Sequence, residues 1–191
     1  MMMSQEQKTQ KIEGYVFLVL FCLCIPLANW MIGHVGTICV PDGPCMLPVW
    51  PGIAAPSGVV VIGLALVLRD LVQRRLGLKW SLMAIATGAI ISWIISPPQL
   101  VLASVVAFLF SELADTMVFT PLQRRGLVLA VLASGLIGIC VDSALFLTLA
   151  FGSLNFLGGQ IIGKIWSLLV ALPLIHLLRQ NDQKRGLVPA Q

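Results

Sequence analysis

The sequence predicts an all-α fold: an integral membrane bundle of six transmembrane helices, with the N- and C-termini both on the cytoplasmic side. Three observations predict it. The 191-residue chain is 58% hydrophobic and only 10% charged, whereas a soluble domain carries roughly 25% charged residues. Apolar runs of roughly 20 residues, the length that crosses a bilayer core, recur along the whole chain. The Lys and Arg residues gather at alternate ends of those runs, as they do in proteins oriented by the positive-inside rule.

Helix 1 is expected over 12–34, after the polar stretch "MMMSQEQKTQKIEGY". That start resembles a signal peptide. The apolar run from Tyr15 to Ile32 is long, however, and no small-x-small cleavage site follows it, so the segment reads as a retained first helix. Residues 35–56 form a Pro-rich loop whose five prolines forbid a regular helix. Helices 2 to 6 follow over roughly 57–76, 79–96, 99–121, 126–151 and 157–179. The short joins "SPPQ", "PLQRRG" and "GSLNFLGG" make helices 3 to 6 successive antiparallel neighbours. The whole of 1–191 reads as one transmembrane domain, with cytoplasmic tails at 1–11 and 180–191.

Orientation follows from the basic residues. Lys8 and Lys11 precede helix 1, and Arg74, Arg75 and Lys79 lie between helices 2 and 3. Arg124 and Arg125 lie between helices 4 and 5, and Arg179, Lys184 and Arg185 close the chain. The three opposite loops carry no Lys or Arg. The Pro-rich loop is therefore external. These helix-end clusters account for the net charge of +4 and remove any reason to infer nucleic-acid binding. "QRR" at 73–75, "QRR" at 123–125 and "QKR" at 183–185 fit either three hairpins of common origin or independent basic helix ends.

Cys22, Cys24 and Cys140 lie in apolar runs, where thiols act as packing. Cys39 and Cys45 flank "CVPDGPC". In an external loop they are compatible with a disulfide, with free thiols, or with a metal site lacking C-x-x-C spacing. No Walker loop, H-E-x-x-H, G-x-S-x-G, haem or zinc spacing occurs. No catalytic residue, metal or cofactor is therefore assigned, and the chain is read as a non-enzyme.

The informative residues are the ionisable ones inside apolar helices: Arg69, Asp70, Glu112, Asp115, Asp142 and Lys164. A charge at the bilayer centre costs at least about 2.5–3.5 kcal/mol, so each needs a partner or a cavity. At about 1.5 Å per residue, Asp142 on helix 5 and Lys164 on helix 6 reach similar heights, which predicts an ion pair. Arg69 and Asp70 lie further inward on helix 2, where they form a gate or ion pair, or sit at the water interface with Arg69 snorkelling. Four acids against two bases leave a surplus, so one or two acids are expected to be protonated. Phe108, Glu112, Asp115 and Phe119 fall at i, i+4, i+7 and i+11 and share one helix face. Two carboxylates between two rings suit a flat heterocycle, although the rings alone also suit ordinary packing. Asn29 and Trp93 are further candidates for contact with a substrate. The small residues in Ala130–Ser134–Gly138–Asp142 and the pair Gly159 and Gly163 are read as packing devices that bring Asp142 and Lys164 together.

The segments "GLALVLRDLVQRRLG" (63–77), "SELADTMVFTPLQRR" (111–125), "ASGLIGICVDSALFLTLAFGS" (133–153) and "GKIWSLLVALPL" (163–174) resemble the vitamin uptake transporter family. Its best-known members are bacterial queuosine precursor transporters. The resemblance implies a small six-helix inner-membrane protein that takes up 7-deazaguanine bases, the cyano and aminomethyl forms. Carried over by position, the family's acidic sites fall on Asp70, Glu112, Asp115 and Asp142, and its helix 6 lysine on Lys164. Arg69 and the Cys-flanked loop are less general. The implied partners are the lipid bilayer, a deazaguanine-type base and, compatibly with a small bundle, a second copy of the chain as a homodimer.

These readings favour a secondary transporter working by alternating access. Other readings are a substrate-capture subunit of an ATP-driven vitamin importer, a non-transporting membrane scaffold, and an intramembrane enzyme with two carboxylates. Exact substrate and driving force, whether proton coupling or facilitated diffusion, stay open.

Overall fold

A computed structural model of the chain describes residues 5–39 and 43–187. The outermost parts of both tails and loop residues 40–42 lie outside the described residues. The fold is mainly helical: α1 (Gln5–His34), α2 (Val59–Leu76), α3 (Leu78–Ile95), α4 (Val101–Leu122), α5 (Leu127–Phe151) and α6 (Leu157–Arg185). All except α2 are long and apolar enough to cross a membrane. The chain is thus a multi-pass membrane protein by helix length and composition.

α2 misses that criterion because its 18 residues include Arg69, Asp70, Arg74 and Arg75. Its position explains how it tolerates them. It packs against all five other helices, and every residue from Ala65 to Arg75 is buried. A helix wrapped by others meets little lipid, so its polar side chains face protein instead. The outer helices show the reverse pattern, with large apolar side chains such as Val19, Ile90, Met117 and Val170 turned outward.

Helix ends differ from the sequence expectation at the two termini. α1 starts at Gln5 rather than near 12, and α6 runs to Arg185 rather than 179. Hydropathy ends where the apolar residues end, but Gln, Lys, Arg and Glu remain good helix formers. Charge pairs also tie these extensions together. Arg75 lies 2.8 Å from Glu13 Oε2 and 2.7 Å from Asp182 Oδ1. Arg74 Nε donates to Asp182 Oδ2 at 2.8 Å, and Arg185 lies 3.4 Å from Glu13. The starts of α1 and ends of α2 and α6 therefore meet at one end of the bundle.

The opposite end carries the Pro-rich segment, which adds a small sheet to the helical fold. Ile38–Cys39 (β1), Cys45–Trp50 (β2) and Ile53–Pro56 (β3) form a three-stranded antiparallel sheet in the order β1-β2-β3. Prolines exclude a helix but not short strands. Pro48 sits beyond the reach of β1, beside a register irregularity, where a missing N–H is tolerated. Gly52, with φ +77°, turns β2 into β3 after Pro51, a place that only glycine fills without strain. A disulfide joins Cys39 to Cys45.

The sheet is clamped to the bundle. Ser57 Oγ donates to Met31 O on α1 at 2.7 Å, and Trp166 Nε1 on α6 donates to Val49 O at 2.9 Å. Gly159 and Gly163 do not bring α6 onto α5, as expected. A Cβ on Gly159 would meet Ala54 O at 2.6 Å, and one on Gly163 would meet Val59 Cγ2 at 2.5 Å. Both glycines make room for the sheet and the start of α2. The close approach that positions Lys164 uses Gly63 of α2, where a Cβ would lie 2.7 Å from Lys164 O.

Candidate functional site

Two buried charge sites lie at different depths. The first faces a cavity at the sheet end of the bundle. Its walls come from Ile25, Ala28, Asn29 and Ile32 of α1, Val59 and Ile62 of α2, and Ser92 of α3. Ser104 and Phe108 of α4, Asp142 and Phe146 of α5, and Gln160 and Lys164 of α6 also line it, with Pro56, Gly58, Pro97 and Leu100 from the connecting segments. The volume is about 110 Å³, room for several waters or a small planar molecule. A mostly apolar hollow with a few convergent polar groups is the usual form of a small-molecule site.

The polar core of this cavity is one ion pair. Lys164 Nζ lies 2.5 Å from Asp142 Oδ2 and donates to Ser143 Oγ at 2.8 Å and Gln160 Oε1 at 3.1 Å. All three ammonium donors are thus used. Asp142 is the more open partner, with 13% of its side chain exposed against 2% for Lys164. Its Oδ1 has only Ser111 Oγ, at 3.5 Å, so it retains acceptor capacity toward the cavity. Asn29 lines the cavity while its Nδ2 donates to Ile25 O at 3.0 Å, which leaves its amide oxygen available. Phe108 forms part of the wall and packs 6.1 Å from Phe21, centroid to centroid.

The second site is sealed. Arg69 on α2 meets three carboxylates from two helices. Its Nε donates to Glu112 Oε2 at 2.8 Å, its NH1 lies 2.8 Å from Asp70 Oδ1, and its NH2 pairs with Asp115 Oδ1. These four side chains are at most 2% exposed. Ser134 Oγ of α5 donates to Asp70 Oδ2 at 3.1 Å. The Phe119 ring lies 6.0 Å from Arg69 Cζ, close enough for a cation–π contact. Towards the terminal end, Arg69 NH1 donates to Gln73 Oε1 at 3.4 Å, and Gln73 Nε2 to Thr120 Oγ1 at 2.8 Å.

The shared face of α4 read from the sequence is therefore divided between the two sites. Phe108 lines the cavity; Glu112, Asp115 and Phe119 surround Arg69. Ser111, beside Glu112 in sequence, hydrogen-bonds toward Asp142 and is the polar link between them. Arg69 does not snorkel to water; it is fully buried. Trp93 is 60% exposed on the outside of α3, and cavity contact there falls to Ser92. Gln160, Ser143, Ser92 and Phe146 were not singled out as site residues. Gln160 was legible in principle, since it precedes Lys164 by one helical turn. Among the described residues, no group of three or more His, Cys, Asp and Glu side chains is arranged to hold a metal ion.

A bundle of apolar helices around a charged, charge-paired interior, with a small cavity towards one end, defines a multi-pass membrane protein. Residues 94–178, from the end of α3 through most of α6, match the family model described as "Putative vitamin uptake transporter". Over that stretch the chain is similar to this family. The matched stretch holds Glu112, Asp115, Asp142 and Lys164. No curated protein and no solved structure matches the chain.

Proposed function

We propose that this protein is a secondary transporter of a bacterial inner membrane. It has six transmembrane spans, α2 included, and both termini in the cytoplasm. It takes up a purine-like base, foremost a 7-deazaguanine precursor of queuosine, by alternating access. The observation that carries this reading is the Asp142–Lys164 pair set in the wall of a mostly apolar cavity.

A deazaguanine offers N1–H and an exocyclic amine side by side, a donor pair that suits the under-used Asp142 carboxylate. Its carbonyl oxygen suits Lys164, which Ser143 and Gln160 hold when the site is empty. Phe108 and Phe146 supply flat apolar contact. Arg74, Arg75, Lys184 and Arg185 share one end of the bundle, and a basic end is the cytoplasmic one. The cavity at the other end then faces outward. The way inward is closed twice, by the Arg69 cluster and by the Glu13–Arg75–Asp182–Arg74 network. Both closures must part for release.

The test is uptake of radiolabelled 7-cyano-7-deazaguanine by purified protein in liposomes, with no ATPase present. Wild-type protein is expected to accumulate the base, which also separates a self-sufficient carrier from a capture subunit. Asp142→Asn is expected to insert normally and lose uptake. Near-normal uptake by that variant overturns the assignment.

A further inference from the structure

The cavity and its ion pair are balanced: one acid, one base. The sealed cluster is not. Three carboxyl groups, Asp70, Glu112 and Asp115, face one guanidinium, that of Arg69. Fully ionised, the cluster would carry two net negative charges without access to water, a state that burial strongly opposes.

Two details say where the missing positive charge belongs. Asp115 Oδ2 is buried and accepts no hydrogen bond among the described residues, and Asp70 Oδ1 has only its ion pair with Arg69 NH1 at 2.8 Å. The Asp70 and Asp115 carboxyl groups also share one guanidinium, Asp70 on its NH1 and Asp115 on its NH2. Two sealed carboxyl groups crowded on one cation favour a proton on one of them. Asp115 Oδ2 is held in place from α5, since a Cβ on Gly138 would lie 3.2 Å from it.

Among the described residues, the surroundings supply no alternative counter-charge. α5 contributes a further acid, Asp142, which is itself paired with Lys164 from α6. α1 turns Phe21 and Cys24 into the adjacent core, and α3 turns Ala84 and Ile85. Polar steps lead out both ways. Ser111 reaches toward Asp142 and the cavity, while Gln73 and Thr120 lead toward the terminal end.

We propose that the Arg69–Asp70–Glu112–Asp115 cluster is a proton-binding site, and that its proton is the ion coupled to inward movement of the base. This rests on the transport reading above and names its driving force. A proton arriving from the cavity side binds a carboxylate oxygen of the Asp70–Asp115 pair. Opening of the inner closure hydrates the cluster and returns the proton to cytoplasmic water, so the protonated and ionised forms alternate with the two faces of the carrier.

Two measurements test it, the first free of any substrate. Infrared difference spectra of the reconstituted protein at neutral pH are expected to contain the carbonyl stretch of a buried protonated carboxylic acid. That band should be lost in Asp70→Asn or Asp115→Asn and unchanged in Asp142→Asn. Absence of the band in wild-type protein overturns the proton site and needs no variant to fold. The second measurement is base uptake with and without an inward proton gradient, with a pH dye inside the liposomes. Coupling predicts acidification that accompanies uptake. It also predicts that Asp115→Asn loses both gradient-driven accumulation and the acidification that accompanies uptake. Uptake without proton movement overturns the coupling. The band without any uptake of the base overturns the substrate reading and leaves the proton site standing.

Discussion

Replacing Arg69 by Met tests the sealed cluster most directly. Met keeps the unbranched apolar stem of the side chain and removes its charge and donors. Arg69 is completely buried and meets Glu112 and Asp70 at 2.8 Å, with Asp115 on its third side. Removing one partner of a buried ion pair costs about 3–5 kcal/mol, because the other charge is left uncompensated. Here three acids lose one shared partner. The expected loss lies at the upper end, about 4–5 kcal/mol, and is limited there because the acids can take up protons. The total stability of a domain is about 5–15 kcal/mol, so the variant is expected to be poorly stable. The assay is unfolding in mixed micelles titrated with denaturing detergent, followed by tryptophan fluorescence. Arg69→Lys is expected to be intermediate, since a compact ammonium cannot present a planar fork to several carboxylates. The informative control is Arg69→Met combined with Glu112→Met and Asp115→Leu. An apolar replacement of a buried ion cluster is often neutral, so much of the stability should return. If Arg69→Met costs less than about 1 kcal/mol, or the triple variant is no better than the single one, the electrostatic account is wrong.

Two further outcomes follow from packing and from the sheet. Gly63→Ala would put a Cβ 2.7 Å from Lys164 O and 3.0 Å from Lys164 Cα. Backbone cannot yield as a side-chain tip can, so α2 and α6 must separate, at about 1–3 kcal/mol; unchanged stability in the same titration would contradict this packing. Cys39 and Cys45 are separated by six positions, so chain entropy gives their bridge about 2 kcal/mol. The Cys39→Ser, Cys45→Ser double variant is expected to lose that amount, and reduction of wild-type protein to lose as much. Equal stability would mean that the clamps from Met31 and Trp166 alone hold the sheet.

The bundle was legible because its signals are compositional. Apolar runs gave six helices whose internal boundaries lie within two residues of those observed, for example α3 at Leu78–Ile95 against 79–96. The outer helix ends were misplaced because they are held by tertiary charge pairs, such as Asp182 with Arg74 and Arg75, that hydropathy does not register. The sheet was hidden because "VPDGPCMLPVWPGIAAPSG" reads as turn chemistry, and its strands depend on docking against Met31 and Trp166. The Asp142–Lys164 proximity was readable because helix rise converts residue number into height. The partners of Glu112 and Asp115 were not. Height places Arg69 further inward along α2, but no rule of spacing says which way a central helix turns its single arginine.

That orientation changes what the α4 acids do. An acid aligned with a ring on one helix face suggests a ligand cradle, and Glu112 and Asp115 meet that description by sequence alone. A ligand site, however, needs unspent hydrogen-bonding capacity and a way in. Glu112 and Asp115 have donated their best geometry to Arg69 and are sealed, whereas Asp142 keeps an oxygen toward an open cavity. The same comparison separates the two sites by stoichiometry. A one-to-one pair at the cavity can exchange its partner for a neutral base without creating net charge. A one-to-three cluster can be neutral only by holding protons, and it changes charge whenever water reaches it. On the proposed reading a carrier that binds a neutral solute and is driven by an ion needs one site of each kind, and the two sites meet at neighbouring residues of α4, Ser111 and Glu112.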